Sequence, residues 1–427
     1  MKTIKIPARK IIGFIIIYTI VVSSLSSEMG LPQNLLYVND ILLIFVLFAY
    51  SKKMNMFEKL GMKKIIYVLC FLALVIAVGV IGNMVSLKLV LWGMRNTFRG
   101  IIFFIFCVWY LKYEDVQKMF HIFVKLQYVN FALGIYQFFI LGLEQDTVGG
   151  IFGHGNGNAL CIFCVIVCAY TILSYLNEKK NLFNMIFCLG SSFILAALAE
   201  EKFLFIEIVI TFLIALAISR RNYAKLIIIP VFVFVTIMGL QIFESIFPKA
   251  AKDLMSVSLM EKYATSSWLG SYYIPRIGSY TFISEKIFQN NLFNKLFGFG
   301  MGNCDTSSFS FLQSNYYNKY GYMNYRWIFR QWTIMENGII GFWGIVAFFV
   351  IVIICLAKIR KKVSVDRRIF IDTSLITSII SIMTMWMNNT LKVDTAYIPY
   401  FVIASGIVCY KKIVEKNNQL GGNEGDT

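Results

Sequence analysis

Three arginines and a glutamate stand out in a largely apolar chain: Arg276, Arg326, Arg330 and Glu336. They lie along residues 244–341, a long polar stretch rich in Tyr and Trp. A guanidinium stays charged at any relevant pH, and its planar fork donates two parallel hydrogen bonds to phosphate or carboxylate oxygens. Several such groups around one point suit an anionic, phosphate-bearing ligand. When a leaving group gains charge as its bond breaks, fixed cations in a partly dehydrated site stabilise that change. Tyr272 and Tyr273, with Tyr263, Trp268 and Tyr280 beside them, add aromatic faces with polar tips. Such faces suit sugar rings and equally suit a membrane-interface belt. The later run from Tyr316 to Trp327 reads better as interface, and the earlier one as a carbohydrate platform.

These residues need elements to hold them, and the composition says which. The 427 residues are 58% hydrophobic and 15% charged, against roughly 45–50% apolar in soluble domains. The apolar residues come in runs of roughly twenty, long enough to cross about 30 Å of hydrocarbon as helix. The runs are continuous, unlike the alternating segments of a barrel. The expected fold class is therefore all-α: a polytopic integral membrane protein of about 12 transmembrane helices with one large extracytoplasmic loop. The net charge of +17 would admit a nucleic-acid partner. Most Lys and Arg fall in short loops on one side, however, which is the positive-inside signal, and no nucleic acid is expected.

Spans are expected at about 11–27, 35–50, 65–82, 98–111, 121–142, 156–176, 182–199, 203–219, 226–243, 333–357, 369–387 and 396–410. This divides the chain into residues 1–243 with spans 1–9, a 244–332 extracytoplasmic loop, 333–410 with spans 10–12, and a 411–427 cytoplasmic tail. Both termini then lie in the cytoplasm. The apolar run after Lys10 reads as a retained span, with no cleavable leader. Of the nine cysteines only Cys304 falls in the large loop, so no disulfide framework is expected. Cys161, Cys164 and Cys168 share a helical face without other soft ligands nearby and read as packing residues.

A charge at mid-membrane costs about 2.5–3.5 kcal/mol, so charges near the outer leaflet need a reason. Arg95, Arg99, Glu200, Glu201 and Lys202 are such charges, and with Arg276, Arg326, Arg330 and Glu336 they are expected to converge on one outward-facing cavity. Lys88 and Lys392 read instead as side chains snorkelling to the interface. His154 and Asn158, in GGIFGHGNGNALCIF, stand at the outer start of span 6. The GFGMGN segment reads as a tight turn, because it lacks the strand–turn–helix context of a dinucleotide site.

The segment RWIFRQWTIMENGIIGFWG resembles the closing motif of the O-antigen polymerase and O-antigen ligase superfamily, an apolar helix carrying E-x-G-x-x-G after a large loop. Here those positions are Glu336, Gly338 and Gly341. PRIGSYTFISEKIFQNNLFNKLFGFGMGN is similar to the family's loop-opening pattern, with Arg276 followed by Gly298, Gly300 and Gly302, and Asn158 matches its middle-span Asn. The resemblance covers the topology and roughly the C-terminal two-thirds of the chain. It implies a bacterial plasma-membrane glycosyltransferase, without metal or other cofactor, that polymerises repeat units of an undecaprenyl-pyrophosphate-linked oligosaccharide into O-antigen, capsule or exopolysaccharide. A chain-length regulator is the implied protein partner. Arg276 would grip the donor pyrophosphate, helped by Arg326 or Arg330, with Arg95, Arg99 and Lys202 assisting.

One departure separates the branches of this superfamily. Ligases carry a His shortly before E-x-G, where this chain has Tyr325, Arg326 and Trp327, which favours a polymerase. The general base stays open among Glu336, Asp305 and His154. The alternatives are a lipid-linked oligosaccharide flippase, a ligase-type transferase and a non-catalytic assembly partner. A flippase should bury charge within its spans and lack a long one-sided loop.

Overall fold

A computed structural model describes residues 7–50, 56–178, 181–219, 222–256 and 273–421, together with residues 258, 261 and 265. Within these the chain is helical, with no strand. The main helices before the long connection are α1 (Ala8–Glu28), α2 (Tyr37–Tyr50), α3 (Lys63–Gly82), α4 (Leu87–Tyr110), α5 (Tyr113–Phe139), α6 (Gly157–Glu178), α7 (Leu182–Leu198), α8 (Lys202–Ile218) and α9 (Asn222–Ile246). Among the short helices described in the connection are α10 (Pro248–Met255), α11 (Leu292–Phe297) and α12 (Asn315–Tyr320). After it come α13 (Phe329–Arg360), α14 (Val365–Met387) and α15 (Tyr397–Gly421).

Each of the twelve expected spans falls on one of the long helices. Among the described residues, eight helical segments are both long and apolar enough to cross a membrane: α1, α3, α4, α6, α9, α13, most of α14 and Asp394–Glu415, which contains most of α15. Gln33–Phe48 and Leu182–Leu198 are apolar but shorter. This is the architecture of a multi-pass membrane protein, since in hydrocarbon a helix satisfies its own backbone. The side chains agree. Phe48, Leu74 and Phe234 are 80%, 64% and 65% exposed, on faces that lipid can cover and water would penalise.

The core is built around α6. Its apolar residues from Leu160 to Cys168 are almost wholly buried, packed by α5, α7, α8 and α14. Cys161, Cys164 and Cys168 are among them. A helix apolar on every side has this central place available to it. At the opposite extreme, α9 is mostly exposed and carries Pro230 in mid-helix.

Polar side chains inside the bundle pin the turns at one end. On α5, Gln137 accepts hydrogen bonds from the amides of Gly149 (3.1 Å) and Gly150 (2.7 Å). Asn130, two turns earlier, accepts from the Ile151 amide at 3.0 Å. The GGIFG turn is thereby tied to α5, and it delivers the chain to the start of α6. The same end carries the long connection. Cys304, expected in an open loop, is fully buried there, because the connection folds down onto the helices.

Candidate functional site

The GFGMGN turn is the hinge of that folding. Gly298, Gly300 and Gly302 all have positive φ. A Cβ at Gly302 would run into the Leu89 carbonyl, so only glycine lets the turn settle onto α4. The Asn83 side chain, past the end of α3, donates to the Gly298 carbonyl at 3.0 Å, and the Phe299 amide donates to the Met335 carbonyl at 2.8 Å. The turn is wedged between α3, α4 and the first part of α13.

There α13 breaks. Gly338 has φ 65° and ψ −171°, which separates a short segment before it from the long helix after it. Glu336, on the short segment, is fully buried. One of its oxygens accepts from the Gly302 amide at 3.0 Å, and the other pairs with Lys392 Nζ at 2.5 Å. Lys392 is itself fully buried and lies 4.0 Å from the centre of the Trp332 ring. Lys392 therefore does not snorkel. It neutralises Glu336, which holds the glycine turn against α13. A carboxylate with both oxygens occupied and no exposure is a positioning group.

Other charges around this turn are paired within the chain as well. Asp305, fully buried, pairs with Arg326 at 3.1 Å and accepts from the Asn96 side chain. Arg326 lies over Trp332 at 4.4 Å. Arg95 pairs with Asp40 at 2.7 Å and Asp394 at 3.2 Å, and its guanidinium covers the rings of Tyr37 and Trp92. Arg99 pairs with Asp394 and donates to the Lys392 carbonyl at 3.1 Å. Tyr397 donates to Asp40 at 3.1 Å. Arg95 and Arg99 thus join α2, α4 and the start of α15. They meet carboxylates of this chain.

A second cluster lies at the outset of α6 and α8. The turn between α7 and α8 carries Glu200 and Glu201. A Cβ on Gly157 would meet a Glu201 carboxyl oxygen, so this carboxyl sits against the first turn of α6. Lys202 pairs with Glu200 at 3.6 Å and with Asp253 of α10 at 3.5 Å. Asp146 and Arg276 act electrostatically on Glu201. Four acids thus gather around Lys202 and Arg276. Burial first, then the neighbouring charge of Asp146, pushes Glu201 up to about 8. Burial also raises Asp146 and Glu200 above the usual carboxylate range. Arg276 opposes the shift at both Glu201 and Asp146.

Arg276 is held in place by α13. Gln331 donates to the carbonyls of Ile274 (3.0 Å) and Pro275 (3.3 Å), the two residues before it. Tyr273 packs against Trp327, with ring centres 5.8 Å apart. Arg330, the neighbour of Gln331, lies near the rings of Trp386 (5.7 Å) and Phe342 (5.9 Å). Among the described residues no carboxylate pairs with Arg330, and its buried Nε has no hydrogen-bond partner.

The expected set therefore divides. Arg276 acts on Glu201 and Lys202 pairs with the neighbouring Glu200, with Arg330 beside the residue that holds the Arg276 segment. Arg326, Glu336, Arg95 and Arg99 belong to buried ion pairs. His154 lies half exposed, 3.8 Å from Glu28, and its amide also donates to Glu28 at 3.1 Å. Asn158 is exposed on the first turn of α6, and its carbonyl accepts from Thr390 at 3.2 Å. Tyr272, with Tyr263 and Trp268, falls outside the described residues. Asp146, Asp40 and Asp394 escaped the sequence reading. For Asp40 the signal was available, as an acid at the head of an apolar run. Compared with known proteins, the chain matches no family model and no curated protein.

Proposed function

We propose that this chain is a metal-independent glycosyltransferase on the outer face of a bacterial plasma membrane. It polymerises oligosaccharide repeat units carried on a polyprenyl pyrophosphate. The observation that carries this reading is the Glu201 carboxyl set against the first turn of α6, pushed up to about 8 by burial and by Asp146, with the charge of Arg276 acting on it. A fixed guanidinium suits a pyrophosphate that gains charge on leaving. A base whose pKa lies near the working pH suits proton removal from a sugar hydroxyl.

In this mechanism Arg276 binds the donor pyrophosphate, with Arg330 as the second cation. An acceptor hydroxyl on another lipid-linked unit gives its proton to Glu201 as its oxygen bonds to the donor's anomeric carbon. The bond from that carbon to the pyrophosphate oxygen breaks, and the electron pair leaves with the lipid pyrophosphate. A single displacement inverts the anomeric centre. Glu336 takes no proton in this scheme and keeps the glycine turn in register. Lys202 holds Glu200 and Asp253 beside the base.

The test is a glycan ladder from cells lacking the chain, complemented with wild type or Arg276→Ala. Loss of long glycan, with one-repeat material still delivered and only wild type restoring length, supports the reading. Repeat units trapped on the cytoplasmic face would make the chain a flippase. A normal ladder with Arg276→Ala would remove Arg276 from catalysis and sink the proposal.

A further inference from the structure

The connection contains an open cavity of about 440 Å³ whose wall is unusual for this chain. Gln289, Asn290, Asn291 and Asn294 line it together with Phe299, Tyr316, Lys319 and Tyr320. Phe299, Tyr316 and Tyr320 form a parallel stack, with ring centres 4.0 Å apart for Phe299–Tyr316 and 6.4 Å for Tyr316–Tyr320. Gln289 and Asn290 are exposed and follow each other at φ 50° and 60°, a conformation that side chains other than Asn and Gly rarely adopt. The Asn291 carboxamide accepts from the Asn294 amide and caps α11. Among the described residues, no hydrogen bond within the chain engages the side-chain amides of Gln289, Asn290 or Asn294.

The geometry points to a glycan-binding subsite in this cavity, and the inference rests on the polymerase reading above. A carboxamide offers a donor pair and an acceptor, which matches the mixed donor and acceptor character of sugar hydroxyls. Three unengaged amides that share a lining with stacked aromatic rings supply the polar groups and apolar surface that a sugar ring requires. Lys319 is the cation of the lining, so the subsite takes neutral or acidic sugars in preference to basic ones.

The subsite is mechanically tied to the Arg276 cluster. Phe299 is fixed to the Met335 carbonyl, and Gln331, one turn earlier, holds the Arg276 segment. One short helix thus carries both. A polymerase must hold a long saccharide as well as a pyrophosphate, and a second grip on the saccharide keeps the growing chain from leaving between additions.

The experiment uses Asn290→Gly, which removes an amide while suiting the positive φ, and Asn294→Leu, which replaces the amide with an apolar group of similar shape. Each variant is checked for unchanged thermal melting in detergent. Saturation-transfer NMR on the purified full chain uses the oligosaccharide released by mild acid from the host's own surface glycan. The expected results are a sugar signal with wild type, lost in both variants, and glycan shortened at least several-fold with polymerisation retained. Variants with wild-type signal and wild-type length would overturn the subsite while leaving the Arg276 result untouched. A normal ladder with Arg276→Ala, by contrast, overturns the polymerase reading. Asn290→Gly and Asn294→Leu reporting no change in the presence of an Arg276→Ala defect would therefore reject the subsite alone.

Discussion

Arginines that look alike in the sequence do different work once their partners are known. Arg326 neutralises Asp305, which has no exposure at all. Removing one partner of a buried pair strands the other, at a cost of about 3–5 kcal/mol. Arg326→Ala is expected to lower the melting temperature sharply, whereas Arg330→Ala should leave melting nearly unchanged while abolishing polymer formation. Thermal melts in detergent beside glycan ladders check both, and equal melting of the two variants would contradict the division. Glu201 makes a pH prediction. Its carboxyl sits near 8 in the folded chain, above the ordinary value of 4.5. Ionising it therefore opposes folding, with no effect below the ordinary value and the full effect above about 8. Glu201→Gln should melt higher than wild type at pH 9 and level with it near pH 4. As a base it must be ionised, so wild-type polymerisation should climb as pH rises toward 8, and Glu201→Gln should lose at least a hundredfold. A flat pH profile would remove Glu201 from the reaction.

The element that organises the site is the broken start of α13. Its first turns carry Arg330, Gln331, Trp332, Met335 and Glu336, which between them hold the Arg276 segment, the glycine turn and Lys392. The break itself depends on Gly338, where a Cβ would collide with the Leu296 carbonyl. Gly338→Ala combines that collision with a backbone conformation that disfavours any side chain, so it should destabilise the protein by at least about 1–3 kcal/mol. Limited proteolysis within residues 273–328 should accelerate in this variant, while cleavage between α14 and α15 stays slow. Gly341→Ala would also collide, with the Cβ of Asn337, but Gly341 lacks the positive φ that adds strain at Gly338. The E-x-G-x-x-G pattern was legible in the sequence as a motif. Its mechanical meaning was not, because a glycine in a helix-rich run does not announce which backbone it will meet.

For the whole molecule the prediction concerns sidedness. Alkaline phosphatase fused after Gln313, an exposed residue of the long connection, should be active. Fused after Lys361, in the basic turn between α13 and α14, it should be inactive. The reverse pattern would invert the protein in the membrane and end the outer-face reading.

Helical class and the sites of the long apolar helices were readable from the chain alone. They follow from local facts: apolar run length, backbone satisfaction in lipid and the side on which Lys and Arg accumulate. Ion pairing was not readable. Arg95 and Asp394 are separated by 299 residues, and Lys392 and Glu336 by 56, so no spacing rule reveals that they meet. Lys392 illustrates the difference. Its sequence neighbourhood fits an interfacial lysine, and only the folding of the connection onto α13 shuts it away from water beside a carboxylate. Glu201 is a related case: the sequence marks it as a charge near the outer leaflet, but its proton affinity is set by burial against α6 and by Asp146 and Arg276, which the fold alone brings to it.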